Sequence, residues 1–394
     1  MKTEKPLIAI ACGGTGGHLF PGLTIGREFV RRGCDVTLLV SPKEVDQIAV
    51  RCVTDMDVVT LPSVALQGRN YLKFIRSLRS SVREARRLFK HRRPAAVFSM
   101  GGFTAAAPVM AGKLSRAKLF LHESNAIPGR ANRYLAPWVN RAFVGFREAV
   151  ANLKAREVTI SGTPVREQFQ SVVVPTCRRV LGLAEDRRTL LIMGGSQGAT
   201  AINELLMKSM PLLRKRLPVW QYCWLTGAND AERVRDYCRE SKVPAVVRRF
   251  LPEMELAYGS ATVTIGRSGA ASLAESAAMK VPSILVPLPS SADNHQQHNA
   301  LNFERTGAAR LLEQKTASPE QLVDWVAELG SDDAARTLMS DALGHWHRED
   351  AAELICSRVL HAIGHGVSAG DVSDIENDEA SLTERGSTLR LVAS

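Results

Sequence analysis

No apolar stretch in these 394 residues approaches the roughly 18 to 20 needed to cross a bilayer as a helix, so any membrane contact has to be peripheral. Cysteine is sparse: Cys12, Cys34, Cys52, Cys177, Cys223, Cys238 and Cys356 are odd in number, far apart and without CxxC spacing. That excludes a disulfide framework and a zinc site and points to a reducing cytoplasm. The amino-terminal apolar run, Leu7 to Cys12, ends in glycines instead of a signal-peptidase site and reads as a first strand. No GxxxxGK precedes a Ser or Thr, which disfavours an ATPase. No DxD pair stands in a loop that could hold a metal-bound diphosphate. Acid is also short relative to base, leaving a net charge of +11 that suits nucleic acid, anionic lipid or a phosphorylated substrate equally.

What is present has α/β grammar. Leu7-Ile8-Ala9-Ile10-Ala11 reads as a buried strand, Gly13 to Gly17 as a turn, Pro21 to Arg32 as a helix and Asp35 to Val40 as a second strand. Strands are expected again at Ala96–Ser99, Lys118–Leu121 and Arg141–Val144. The second half restarts at Thr189–Met193, runs into Gly194-Gly195-Ser196-Gln197-Gly198 and continues as a helix from about Ala201. Further strands are expected at Gln221–Leu225, Ala245–Val247, Ala261–Ile265 and Ser283–Val286. At 394 residues and about 150 per domain, two α/β domains with parallel sheets are the natural reading. The linker falls near Ser161 to Pro175, and ligands are expected in a cleft at the carboxyl ends of the strands.

A strand-glycine-helix turn leaves backbone N–H groups at the positive end of a helix and lets an anion approach closely. Gly13-Gly14-Thr15-Gly16-Gly17-His18 is such a turn, although glycine there also serves tight packing alone. A dinucleotide fingerprint fails, because strand two ends Val40-Ser41-Pro42 without the acid that would hold a ribose. A third loop, Gly266-Arg267-Ser268-Gly269, opens a helix carrying Glu275 about two turns in. A carboxylate there can accept two ribose hydroxyls; in isolation it would read as a solvated glutamate.

Taken in order, Gly13-Gly14-Thr15-Gly16-Gly17-His18-Leu19-Phe20-Pro21-Gly22, His122-Glu123-Ser124-Asn125, Gly194-Gly195-Ser196-Gln197-Gly198-Ala199, Arg267-Ser268-Gly269-Ala270 and Asp293-Asn294-His295-Gln296 resemble the MurG family of bacterial peptidoglycan glycosyltransferases. The likeness runs from about Ile8 to Gln314. It implies a GT-B fold, two Rossmann-like domains whose parallel sheets face across a cleft. It implies UDP-N-acetylglucosamine as donor, no cofactor or metal for the chemistry, and lipid I (undecaprenyl-pyrophosphoryl-N-acetylmuramoyl-pentapeptide) as acceptor, giving lipid II by inversion at the anomeric carbon. A related enzyme glycosylating another lipid, such as a diacylglycerol, is the nearest alternative. The domains would be 1–164 for the acceptor and membrane, closed by a carboxyl-terminal helix at about 346–365, and 165–345 for the UDP-sugar. Carried over by position, the donor-site residues are Thr15, Gly16, Gly17, Asn125, Arg166, Ser196, Leu251, Ala270, Ala271, Ser272, Leu273, Ala274, Glu275 and Gln296, with Gln297 competing. Lys280 stands where the family commonly has glycine, and Pro289 to Ala292 is one residue longer than in some relatives.

For the chemistry, His18 is the candidate base or acceptor-orienting group, and Glu123 is its rival. Helix amino termini, Ser196 and Arg166 would stabilise the departing diphosphate without a metal. Between Arg69 and Arg93 ten basic residues face one acid, Glu84, and a helical wheel sets Arg76, Arg79, Arg83, Arg86, Arg87 and Lys90 beside an apolar face. This basic helix, 69–93, is expected to hold the enzyme peripherally on an anionic membrane surface at the cytoplasmic face of the inner membrane. Nucleic acid is not expected as a partner, since interleaved aromatic stacking positions are lacking. Residues 366–394 read as a disordered acidic tail.

Overall fold

A computed structural model describes residues 5–51, 53–63, 71–169, 172–194 and 198–365. The acidic tail, Arg69 and Ser196 lie outside the described residues. The first half alternates β1 (Leu7–Ala11), α1 (Gly16–Arg31), β2 (Asp35–Val40), α2 (Glu44–Val50), β3 (Asp57–Thr60), α3 (Tyr71–His91), β4 (Ala96–Ser99), α4 (Ala106–Leu114), β5 (Lys118–Glu123), α5 (Arg130–Leu135), β6 (Arg141–Val144) and β7 (Val158–Ile160). The second runs α6 (Val174–Leu181), β8 (Thr189–Met193), α7 (Thr200–Arg216), β9 (Gln221–Leu225), α8 (Ala231–Glu240), β10 (Ala245–Arg248), α9 (Met254–Ser260), β11 (Val263–Gly266), α10 (Ala270–Met279), β12 (Ser283–Leu285), α11 (His295–Arg305), β13 (Arg310–Leu311), α12 (Pro319–Ser331), α13 (Asp333–Gly344) and α14 (Ala351–Ala362).

The strands make two parallel sheets, ordered β3-β2-β1-β4-β5-β6-β7 and β10-β9-β8-β11-β12-β13. Residues of β1, β4 and β8 are buried throughout, as strands covered on both faces must be. In the first sheet the order reverses between β1 and β4, in the second between β8 and β11. The loops leaving such neighbours diverge to opposite faces and open a crevice at the strand ends. All three glycine loops leave these strands.

The expected strands are present, but three short edge strands, β3, β7 and β13, escape the sequence pattern. Their half-exposed residues carry little hydrophobic signal. The first helix begins at Gly16, five residues before the expected Pro21. Two glycines and an interior proline suggest a later start, because proline favours a first turn. Here Pro21 forgoes one hydrogen bond to the Gly17 carbonyl, and the tight turn shortens to residues 13–15.

The last helix returns to the first sheet. Ile355, Cys356, Val359 and Leu360 join the core formed with α1, Arg31 pairs with Glu353 at 3.1 Å, and Arg32 donates to Ser357 at 2.6 Å. At the junction, Phe146 of the first half meets Trp346 (5.2 Å between centroids) and Phe303 (6.0 Å), while Trp346 stacks on Phe303 at 4.4 Å. The two halves therefore share one aromatic cluster.

Lys280 terminates α10 in the left-handed region, φ 52°, with its stem lying over Gly344 of α13. A left-handed cap costs a lysine its Cβ clash and costs glycine nothing, so glycine suits this position physically. We expect Lys280→Gly to raise stability by about 0.5 kcal/mol, the stem contact offsetting part of the gain. Denaturant midpoints of the two proteins check this.

Candidate active site

The first glycine loop is built by contacts from two directions. Gly14 has φ +113°, and a Cβ there would come within 2.9 Å of the Phe103 ring. Its N–H donates to Asp46 Oδ2 at 2.6 Å, its carbonyl accepts from Lys43 Nζ at 2.9 Å, and the Gly13 carbonyl accepts from Thr104 Oγ1 at 2.7 Å. Asp46, fully buried, also takes the Ser41 N–H and hydroxyl. One N–H expected to be open to an anion is thus spent on a carboxylate. The open donors move to the start of α1, where Thr15 occupies the cap position without capping with its side chain.

Instead, the Thr15 hydroxyl lies 3.0 Å from His18 Nδ1. When Nδ1–H donates to that oxygen, Nε2 carries the available lone pair. Burial holds the His18 pKa below its ordinary value; Glu123 and Asp46 pull it upward, while His295 and Lys43 push it down. The neutral imidazole is the form present at pH 7.

Glu123 is a bracket. Its Oε1 accepts from the Asn125 N–H and side-chain amide, both at 2.9 Å, and its Oε2 from Gly129 N–H at 2.8 Å and Asn132 Nδ2 at 2.9 Å. Four donors fill the lone pairs of a carboxylate, leaving none for a substrate proton. Next to it His122 is buried, its Nε2 at 2.9 Å from the Gly162 carbonyl.

On the other half, α10 starts at Ala270 after Gly269, which has no side chain to cap it, so the N–H groups of Ala270, Ala271 and Ser272 remain open at a positive helix end. Leu273, Ala274 and Glu275 follow on the same helix. Glu275 sits about one and a half turns in, not on a solvated face: its carboxyl is 3.6 Å from Arg166 Nη2 and both are largely buried. Burial pushes the Glu275 pKa up to about 7, against the pull of Arg166 and with a further push from Glu255. Arg166 lies 4.6 Å over Phe20 of α1 and 5.0 Å over Phe169, and donates to the Pro252 carbonyl at 3.4 Å, which sets Leu251 next to it. Its Nε and Nη2 are buried without a hydrogen-bond acceptor. α1, which carries Gly16 and Gly17 at its start, packs against α10.

Gln296 is fixed by its own loop, its Oε1 accepting from Leu288 N–H at 3.0 Å and its carbonyl from Ser268 Oγ at 2.8 Å. Gln297 turns to Glu313 at 3.4 Å. Arg267, buried, donates to the Val286 and Pro287 carbonyls and brackets the same loop; burial pushes its pKa down to about 10.

Sequence reasoning missed Asp46, Asn299 and the Asp293 ion pairs. Asn299, fully buried on α11, accepts from Ala126 N–H at 2.9 Å and donates to Asn125 Oδ1 and to the Ser268 carbonyl, both at 3.1 Å. It ties the Glu123 bracket of one half to the Gln296 loop of the other. Asp293 pairs with Arg130 at 3.0 Å and with Arg133 across the same divide. Asn299 lies four residues beyond His295, within reach of the motif; Asp46 carried no signal, since it acts from a different helix.

Two family models match the chain: the glycosyltransferase family 28 N-terminal domain over residues 8–144 and the family 28 C-terminal domain over residues 189–355. A relative from Pseudomonas entomophila, a UDP-N-acetylglucosamine–N-acetylmuramyl-(pentapeptide) pyrophosphoryl-undecaprenol N-acetylglucosamine transferase, is 35% identical across 84% of this chain and 90% of its own. One of the same name from Acidithiobacillus ferrooxidans is 33% identical across 92% and 99%. Among solved structures, Acinetobacter baumannii MurG superposes with a TM-score of 0.68 at 23% identity, covering 91% of this chain and all of that one. The UDP co-structure of S. aureus MnaA gives 0.67 at 13% identity, covering 91% and 97%, a likeness of fold.

Asn299→Ala removes three hydrogen bonds, two of them across the cleft, and leaves buried Ala126 N–H without its acceptor. We expect a stability loss of about 2–3 kcal/mol, read by urea denaturation, and a fall in UDP affinity read by calorimetry.

Proposed function

The chain belongs to glycosyltransferase family 28, and on that premise we propose that its cleft transfers N-acetylglucosamine from UDP-N-acetylglucosamine to the N-acetylmuramoyl 4-hydroxyl of lipid I, forming lipid II. The observation that carries this is the open amino terminus of α10 together with Arg166, whose buried Nε and Nη2 make no hydrogen bond, Nη2 meeting only the Glu275 carboxyl at 3.6 Å. The names of both relatives specify a pyrophosphoryl-undecaprenol acceptor, which supports lipid I over a diacylglycerol.

The donor's diphosphate sits against the amino termini of α7 and α10 with Arg166, and Glu275 takes ribose hydroxyls. Leu251 reads uracil through its backbone, while Gln296 and Asn125 line the sugar. As the bond from the anomeric carbon to the diphosphate breaks, the leaving group gains negative charge, and fixed N–H dipoles and a guanidinium stabilise it without rearranging. No group of three or more His, Cys, Asp or Glu among the described residues could hold a metal ion. His18 Nε2 accepts the proton of the attacking hydroxyl, and Thr15 holds the tautomer. Glu123 positions Asn125.

No helix among the described residues is long and apolar enough to cross a membrane. On α3, Arg76, Arg79, Arg83, Arg86, Arg87 and Lys90 are all exposed, while Ala85 and Phe89 face the core. This basic face docks peripherally on the anionic cytoplasmic surface where the lipid acceptor resides, each nearby cation contributing about 1 kcal/mol.

Incubation with UDP-N-acetylglucosamine and lipid I in the presence of chelator should release UDP and form lipid II; no UDP release, or a strict requirement for restored metal, refutes the scheme. Because burial lowers the His18 pKa, the base is already neutral at pH 7, so its protonation should lower kcat/KM on the acid side of 6.5, below the fall that Glu275 gives near 7. His18→Asn should lower kcat about a hundredfold and abolish that acid limb. In flotation, the protein should rise with phosphatidylglycerol vesicles but not phosphatidylcholine ones, and detach in salt; Arg79→Glu with Arg83→Glu should abolish flotation.

A further inference from the structure

A cavity of about 610 Å³ opens at the amino-terminal ends of β1, β4 and β5, the edge of the first sheet opposite the glycine loops. Lys5, His91, Arg92, Arg93, Arg116 and Lys118 line it, and no carboxylate does. Arg92 is spent on Asp35 at 2.5 Å and on the Lys5 carbonyl, and Arg93 donates to the Arg116 carbonyl at 3.2 Å. The side chains of Lys5, His91, Arg116 and Lys118 have no hydrogen-bond or ion-pair partner among the described residues. Cations gathered in one concavity repel one another and favour a polyanion there.

The apolar part of the wall includes Ala362 and Ile363, where the final helix ends. Beyond them the chain carries Asp371, Asp374, Glu376, Asp378, Glu379 and Glu384 against Arg385 and Arg390. Asp371 is eight residues past Ile363, a tether that spans at most about 29 Å. A flexible tether of that length gives six carboxylates an effective concentration at the cavity mouth on the order of millimolar.

We propose that the acidic segment 371–384 docks in this cavity as an intramolecular polyanion, occupying a basic site on the face of the first domain remote from the cleft. The occupant is the chain itself because the cavity wall and the acidic segment are adjacent in sequence, opposite in charge and within reach. The proposal is independent of the transferase reading.

Zero-length carbodiimide crosslinking of the full chain, in a mixture of unlabelled and ¹⁵N-labelled protein, tests it. Carboxylates of 371–384 should join Lys5 or Lys118 within single chains. High salt should remove these links, as should Arg93→Glu with Arg116→Glu, a variant that leaves the cleft untouched. Links to Lys5 and Lys118 no more frequent than to Lys208, exposed on the second domain, would overturn the proposal. So would links that join chains of different isotope. If phosphatidylglycerol vesicles protect Lys5 and Lys118 from acetylation while no intrachain links form, the occupant is an anionic surface and the proposal also falls.

Discussion

The amino termini of α1, α7 and α10, which leave the glycine loops, start without side-chain caps, as do most of the described helices; α12 and α13 are capped by Ser318 and Asp332. An uncapped start leaves N–H donors at the positive end of a helix, a cost to the isolated fold that a bound anion removes. Each open end follows a strand at a point where sheet order reverses. Donor placement, domain facing and the need for glycine all follow from that arrangement. Gly198, with φ +75° and a would-be Cβ 2.7 Å from the Thr226 carbonyl, shows how little room the second loop has.

The three open ends are not equivalent. In the first domain Asp46 takes the Gly14 N–H and places negative charge beneath the loop, which disfavours a phosphate at that position and leaves His18 close to carboxylates that temper its lowered pKa. In the second domain the corresponding charge is Arg166, held between two aromatic rings and facing Glu275. The electrostatic asymmetry is what the proposed scheme uses, with the His18 side as proton acceptor and the Arg166 side as stabiliser of the departing diphosphate.

Transfer needs both sides in register, and the fold secures it with contacts of different kinds. Asn299 joins the two loops by hydrogen bonds, Asp293 adds charge pairs, and Phe146, Phe303 and Trp346 share an aromatic cluster. Asp293 and Asn294 both adopt left-handed backbone, φ 51° and 52°, which these residue types tolerate better than most. The segment Pro289–Ala292 leads directly into that turn. Return of α14 onto α1 adds a covalent crossing to the non-covalent ones.

The sequence by itself determined the two parallel α/β halves, because fully buried strands are continuous apolar runs and the loops after them are spelled in glycine. Through spaced local motifs and the resemblance they carry, it also pointed to Arg166 and the residues of α10 as the expected donor side. Edge strands β3, β7 and β13 were illegible because a half-exposed strand of two to four residues has no periodicity to show. Only tertiary structure decided that Glu123 is a saturated bracket while His18 keeps a lone pair, for lone-pair occupancy depends on donors brought in from Gly129 and Asn132. Likewise Asp46 and Asn299 became visible only when distant elements met. Their partners are 32 and 173 residues away, and no local pattern encodes a contact over that separation.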